Sequence, residues 1–531
     1  MRRAVPPSDH VVVVGAGLAG LSAACHLVGA GRRVTVVERD GGPGGRAGRI
    51  RRGGYRFDTG PTVLTMPELA DEAFAAVGTS LRAHVDLLPL HPAYRARFAD
   101  GSTLDVHTDA QAMEAEVARF AGAREAAGYR ELRRWLVRLH RAQMRRFIDT
   151  NFDSPWQLLN PDLVRLAALG GFGRLAPRIG RHLRDERLQR VFSFQSLYAG
   201  VAPARALAAY AVIAYMDTVA GVWFPRGGMH ALPRAMAAVA EAAGAAFHYG
   251  STVLELELER SGGRVTAVVT DRGRIACDAV VLTPDLPVAY RLLGRAPRRA
   301  VPLRFSPSAV VLHLGTDRTW PELAHHTLSF GHAWERTFDE LTRTGRLMTD
   351  PSLLITRPTG TDPSAAPAGR HTHYVLAPVP NTAIGPDAAA WGDLAPGYRD
   401  QLLDTLERRG LTGIGAAVEE ECLVTPADWT ALGHAAGTPF SAAHTFAQTG
   451  PFRPRNLVRG LENVVLAGCG TTPGVGVPTV LISGKLAAAR ITGAARPARA
   501  RRRASAACPP PPGTGATPAP PPTAGVLHDG P

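Results

Sequence analysis

Apolar residues in this chain fall into continuous runs and helical stripes that alternate. Near the N-terminus Val11 to Val14 form an unbroken β-branched run, Leu21 to Gly29 carry helical spacing, and Arg33 to Val37 form a second run. Runs without alternation predict strands covered on both faces, so this segment predicts strand, turn, helix and strand of a parallel sheet. The pattern returns downstream with a helix over Arg234 to Ala243, a strand over Phe247 to Glu257, a hairpin turn at Ser261-Gly-Gly263, and strands over Arg264 to Thr270 and Ile275 to Leu282. A last strand within Leu461 to Gly468 leads through a glycine-rich turn into a helix carrying Ser483, Gly484 and Ala489.

Two further apolar stretches bear on the environment. The longest, Ala204 to Phe224, contains Arg205 and Asp217, which fits a buried segment and not a membrane span. Leu166, Leu169, Phe172, Leu175, Ile179 and Leu183 recur at steps of three and four with arginines between them. That stripe suits a helix lying in a membrane interface or, equally, an amphipathic core helix, with Gly170, Gly171, Gly173 and Pro177 set against continuity. The basic N-terminus precedes an apolar run that is short and ends in a glycine motif, so it predicts a strand instead of a signal peptide.

A length of 531 residues exceeds what one core serves, and 45% hydrophobic with 20% charged residues is the balance of a globular enzyme. The net charge of +14 is carried by arginine, Lys485 being the single lysine. It admits a basic surface for an anionic membrane or the arginine-rich composition of a GC-rich genome. No zinc-finger, RNP or basic-zipper pattern accompanies it, so nucleic acid is not an expected partner. The five cysteines lack paired spacing, and His325-His326 and His371-x-His373 lack the spacing of metal ligands. No metal is expected, the histidines read as surface or pocket residues, and the cysteines fit a reducing cytoplasm.

The chemistry concentrates in glycine motifs. Gly15-Ala-Gly17-Leu-Ala-Gly20 sits between the first strand and its helix, and Glu38 closes the second strand 18 residues beyond Gly20. Gly15 suits the tight turn, Gly17 backbone approach to a pyrophosphate, Gly20 close helix–strand packing, and Glu38 the ribose hydroxyls. The chain continues through Gly44-Gly45-Arg46 to Asp58-Thr-Gly60-Pro61-Thr62, and its C-terminal turn reads Gly468-Cys-Gly-Thr-Thr-Pro473-Gly474-Val475-Gly476-Val477-Pro478.

These segments, with Gly221-Val-Trp-Phe-Pro-Arg-Gly-Gly228, Phe192-Ser-Phe-Gln-Ser-Leu-Tyr198 and Tyr374-Val-Leu-Ala-Pro-Val-Pro380, resemble the bacterial and fungal phytoene desaturases of the amine-oxidase-like flavoprotein superfamily over residues 10–493. The resemblance implies FAD as cofactor. Gly44, Gly45 and Arg46 would line the pyrophosphate and ribityl chain, Gly60, Pro61 and Thr62 would approach the flavin, and Val253 would contact the adenine side. Gly468 and Pro473 to Pro478 would meet the flavin at a helix N-terminus. Where relatives often carry Ser-Asn-Ala-Asp this chain has Leu282-Thr-Pro-Asp285, a departure expected to touch packing more than chemistry.

The implied fold is α/β: a discontinuous Rossmann-type FAD-binding domain from 9–89, 223–300 and 456–495, and a second, mixed-sheet substrate domain from 301–455. A helical substrate segment, 90–222, would face the membrane, and 496–531 would be a disordered tail. The implied activity is hydride abstraction from phytoene to give lycopene, with oxygen or a quinone as electron acceptor and the enzyme held peripherally on the membrane from the cytoplasm. Another desaturase, an amine or protoporphyrinogen oxidase, or a prenyl-protein escort factor are the alternatives, the last disfavoured by the intact glycine fingerprint. Asp149, Asp153 and Asp217 flank apolar stretches of the substrate region and are the candidates for a proton acceptor or cation stabiliser, but none carries a recognisable motif and each reads rather as a satisfied surface or interdomain carboxylate, so no catalytic base is assigned.

Overall fold

Five strands from three separated stretches of chain pair in one parallel sheet, in the spatial order Val464–Leu466, Ala279–Leu282, His10–Val14, Arg33–Val37 and Ala246–His248. The computed structural model describes residues 9–260, 262–295 and 302–493; the tail at 496–531 and Ser261 of the hairpin turn lie outside them. The first strand, β1 (His10–Val14), is buried at every position, as a continuous apolar run requires. Behind it α1 (Leu18–Gly29) packs along the C-terminal helix Val477–Thr492, where Ser22 Oγ donates to the Leu481 carbonyl at 2.7 Å. The C-terminal strand and helix thus complete the N-terminal unit.

Two strands expected to be continuous are divided between sheets. The run Phe247 to Glu257 splits into Ala246–His248 of the parallel sheet and Val253–Leu258, which pairs antiparallel with Val265–Thr270. Between them the Gly250 and Ser251 amides donate to the Asp40 and Glu38 carbonyls, both at 2.9 Å, bending the chain around the end of β2 (Arg33–Val37). Likewise Ile275 to Leu282 divides into Gly273–Ala276 and Ala279–Leu282. Apolar periodicity persists across such a bend and does not register a change of sheet.

The second sheet is mixed and has seven strands, ordered Val418–Val424, Ser308–Thr316, His371–Val379, Leu353–Thr356, His326–Ser329, Tyr94–Arg97 and Thr103–Val106. Only the pairing of His326–Ser329 with Tyr94–Arg97 is parallel. One face buries Leu312, Leu314 and Val375 with Trp391 and Leu402 of helix Ala390–Arg408. The alternate positions, among them Val311, Tyr374, Leu354 and Tyr94, share the core that also holds the glycine-turn unit. The segment 90–222 therefore begins with two strands of this sheet before it becomes helical.

The Leu166 to Leu183 stripe is not one interfacial helix. It forms two short helices, Pro161–Ala168 and Leu175–Gly180, separated by a turn whose Gly171 and Gly173 carbonyls accept from the Ala209 and Ala208 amides, both at 2.8 Å. Leu166, Leu175, Ile179 and Leu183 point inward and are buried, whereas Phe172 is exposed. Among the described residues no helix is long and apolar enough to cross a membrane.

Candidate functional site

The loop leaving β1 is held by the Gly15 amide, which donates to the Val37 carbonyl at 2.8 Å. A Cβ on Gly20 would lie 2.0 Å from the Gly15 carbonyl oxygen, so this glycine serves the close approach of helix to turn, as expected. Gly17 differs. Its φ of −73° suits any residue, and a Cβ there would meet nothing nearer than the Gly44 carbonyl oxygen at 3.9 Å. The protein does not itself demand glycine at position 17; the space it keeps clear opens on a cleft of about 910 Å³.

That cleft is lined by Gly15, Gly17, Glu38, Gly45, Arg46 and Val253, bringing residues from separate stretches to one wall. Glu38 directly follows β2 with its carboxylate buried, Oε2 accepting from the Ala16 amide at 2.6 Å and Oε1 from the Asp40 amide at 3.0 Å. Burial raises its pKa, and the two amides partly offset the rise. Gly44 packs behind the wall, its amide donating to the Ala16 carbonyl at 3.0 Å. Asp58 braces the far side by accepting from the Met229 amide at 2.7 Å and the His230 amide at 3.2 Å, which places His230 on the cleft.

Arg46 joins three parts of the chain. Its Nη2 meets Asp285 Oδ2 at 2.9 Å and His434 Nδ1 at 3.0 Å, while Nη1 donates to Cys469 Sγ at 3.3 Å. Asp285 therefore does more than pack. Burial, the largest single influence, would raise its pKa, but Arg46, His434 and the Ala435 amide together outweigh it and hold the carboxyl below the ordinary 3.8. His434 is pushed down to about 3, first by burial and then by Arg46, and is neutral at physiological pH. Neither Asp285 nor His434 belongs to a glycine motif, and only the fold brings them to Arg46.

The remaining motif residues stand off the wide cleft. Gly60 packs against the Arg46 backbone, where a Cβ would lie 1.8 Å from the carbonyl oxygen. The Gly60-Pro61-Thr62 segment then leads to a narrow slot that Thr62 lines with Phe224, His313 and Tyr374. The C-terminal turn meets Arg46 of the cleft wall through Cys469. Buried Arg453 fixes it by donating to the Thr471 carbonyl at 3.0 Å and the Cys469 carbonyl at 2.5 Å, and Ser483 Oγ accepts the Gly468 amide at 3.0 Å. His444 packs against Gly474 and accepts the Val475 amide at 3.4 Å. Gly476 caps the helix whose first turn holds Val477 and Pro478. The roles of Arg453 and His444 had no sequence signal, since each acts on backbone distant in the chain.

The three carboxylates of the substrate region separate clearly. Asp149 pairs with Lys485 at 2.7 Å and Asp153 with Arg490, as satisfied carboxylates should. Asp217 departs from that reading: it is buried and its Oδ2 has no hydrogen-bond partner among the described residues. His325, His326 and His373 are buried and His371 is half-buried, so the first three are not surface groups, while His373 lines the slot as a pocket residue.

Residues 18–492 match the family model described as flavin containing amine oxidoreductase. The chain belongs to this family. It is 75% identical over 93% of its length to the phytoene dehydrogenase of Streptomyces griseus, covering 97% of that protein. It is also 35% identical to a zeta-carotene-forming phytoene desaturase of Myxococcus xanthus, over 91% of this chain and 93% of the relative. A lycopene-forming phytoene desaturase of Pseudescherichia vulneris is 35% identical over 90% of this chain and 98% of its own. Within the family the chain is thus a member of the carotenoid desaturase group. Among solved structures, a putrescine oxidase variant aligns over 92% of this chain and 99% of its own, with a TM-score of 0.58 at 15% identity, a likeness of fold. FAD is the cofactor of this flavin oxidoreductase, and the space kept open at Gly17 beside a buried carboxylate suits such a dinucleotide.

Proposed function

We propose that this chain desaturates phytoene by successive hydride abstractions and carries the product to lycopene. The observation that carries the reading is the 75% identity, over almost the whole chain, to a phytoene dehydrogenase. Buried imidazoles beside Tyr374 and Phe224 support it. Burial pushes His313 down to about 4 and His325 to about 3, so the imidazoles near Tyr374 and Phe224 are neutral and can face a hydrocarbon. The product is the finer step, since relatives at 35% identity form zeta-carotene in one case and lycopene in another.

In this reading Gly17 leaves room for the pyrophosphate, Glu38 accepts from ribose hydroxyls, and Val253 lies on the adenine side. Gly44, Gly45 and Arg46 border the pyrophosphate and ribityl chain, and Gly60, Pro61 and Thr62 approach the flavin. Gly468 and Pro473 to Pro478 present a helix N-terminus to it. When bound, FAD supplies the hydride acceptor. The protein aligns the polyene and excludes water. Reoxidation by oxygen or a membrane quinone completes the cycle, since one dinucleotide fingerprint leaves no second nucleotide site in this reading.

The enzyme meets its substrate on the cytoplasmic face of a membrane, to which it binds peripherally. Trp156, Leu159 and Val164 support this, being 77%, 68% and 70% exposed with Arg165 beside them. Expression in a phytoene-accumulating host tests the whole reading. Red pigment with the absorption of lycopene is expected; unconverted phytoene from a flavin-loaded, membrane-containing preparation would refute it, and a less conjugated carotene would correct the product alone.

A further inference from the structure

Asp217 lies in the π-helical turn Met216–Ala220, where the buried stretch ends before strand Trp223–Pro225. The Tyr94 hydroxyl hydrogen-bonds its carboxyl, yet Oδ2 remains without a partner. Tyr198 feels the same carboxyl and in turn neighbours Tyr374. Phe194 closes the group, its ring 5.9 Å from both Tyr94 and Tyr198, and His326 lies 5.4 Å from Tyr94 on the far side. Arg133 of helix Ala123–Gln143 reaches the adjoining residue, donating to the Thr218 carbonyl at 3.3 Å and the Tyr129 hydroxyl at 3.2 Å. His140 of the same helix stacks on Tyr215 at 4.1 Å.

A carboxylate kept for stability would be paired, as Asp149 and Asp153 are, because an unpaired oxygen in such surroundings is costly. This one is met by a single hydroxyl, that of Tyr94, with Tyr198 close enough to feel its charge, on the side of the mixed sheet where Tyr374 also lines the slot with Thr62 and Phe224. We propose that Asp217 is the proton acceptor of the desaturation, an assignment that rests on the phytoene reading above. The step balances: one C–H bond leaves as hydride to oxidised FAD, and the adjacent carbon loses its proton to the Asp217 carboxylate. The electron pair of that second C–H bond becomes the new π bond. Burial supplies the base strength, pushing Asp217 up to about 7 while the Tyr94 hydrogen bond draws it partly back. A large share of the molecules is therefore ionised at cytoplasmic pH, and the base is strong enough to take the proton.

Anaerobic single-turnover bleaching of the flavin by phytoene in liposomes tests the assignment. The wild-type rate should rise with pH through about 7. Asp217→Asn should bleach roughly 10² to 10⁴ times more slowly at equal FAD occupancy, with that inflection gone, and Asp217→Glu should recover part of the loss. A second readout needs neither substrate nor turnover. The infrared difference between wild-type and Asp217→Asn protein should contain a protonated-carboxyl band that titrates away near neutral pH. Should Asp217→Asn fail to fold, Tyr94→Phe serves instead and should move the inflection upward, because it removes the bond that favours the ionised form. An Asp217→Asn rate within about threefold of wild type, or an inflection that Tyr94→Phe leaves in place, overturns the proposal. Wild-type flavin that phytoene cannot bleach overturns the phytoene reading and this assignment together.

Discussion

Gly17 and Gly20 are three residues apart in one motif, yet they answer to different neighbours. Valine at position 20 would drive its Cβ into the Gly15 carbonyl, 2.0 Å away, whereas at position 17 the nearest protein atom is 3.9 Å off. Gly17→Val should accordingly fold with near-wild-type thermal stability and purify without FAD, and Gly20→Val should lose stability itself. Flavin absorbance and a melting curve on each variant distinguish the two, and a flavin-replete Gly17→Val would displace the dinucleotide from this turn. Glu38→Ala should weaken FAD binding roughly 10- to 150-fold, the value of hydrogen bonds to a charged acceptor at about 1.5–3 kcal/mol. Titration of the apoprotein with FAD measures it.

The Arg46–Asp285 pair carries a pH dependence at the same scale. Because the folded carboxyl ionises below its ordinary 3.8, the pair stabilises the fold above that pH, and the contribution fades as pH falls through the depressed value. Asp285→Asn leaves Arg46 without its anionic partner and should cost about 3–5 kcal/mol at neutral pH. Denaturant unfolding at about pH 7 and again near pH 3 checks the sign: the gap between variant and wild type should narrow in acid.

Among the elements, the C-terminal turn depends most on distant support. Arg453 binds the carbonyls of Cys469 and Thr471, so Arg453→Leu should leave buried acceptors unmet and cost about 1–3 kcal/mol for each. Melting curves with and without added FAD should show both lower stability and a smaller stabilisation by the cofactor. The short helices either side of Gly170–Gly173 turn Leu166 and Leu175 inward, which leaves Val164 of the first helix, with Trp156 and Leu159 just before it, as exposed apolar surface. Trp156→Ser with Leu159→Ser should weaken flotation on anionic vesicles, and the residual binding should fall further with salt. Unchanged flotation at low ionic strength would remove this surface from the membrane contact.

At the scale of the whole molecule, the sequence by itself determined the strand–turn–helix units, because a run of buried β-branched residues and a glycine turn are local properties of the chain. Gly15, Gly17 and Glu38 were legible for that reason, Val253 only through the family resemblance, and the cleft does collect them. Tertiary structure decided what local pattern cannot encode. It divided Phe247 to Glu257 and Ile275 to Leu282 between two sheets, because a strand's apolar period is the same whichever neighbour it pairs with. It broke the Leu166 to Leu183 stripe where Gly171 and Gly173 found better partners in the Ala208 and Ala209 amides than in a helix. It brought Asp285 and His434 to Arg46, and it set Asp217 among Tyr94, Tyr198 and Phe194 with one oxygen unpaired. Whether a carboxylate is satisfied depends on groups far away in the chain, as Asp217 depends on Tyr94 and Asp285 on Arg46, and those meet only in the folded molecule.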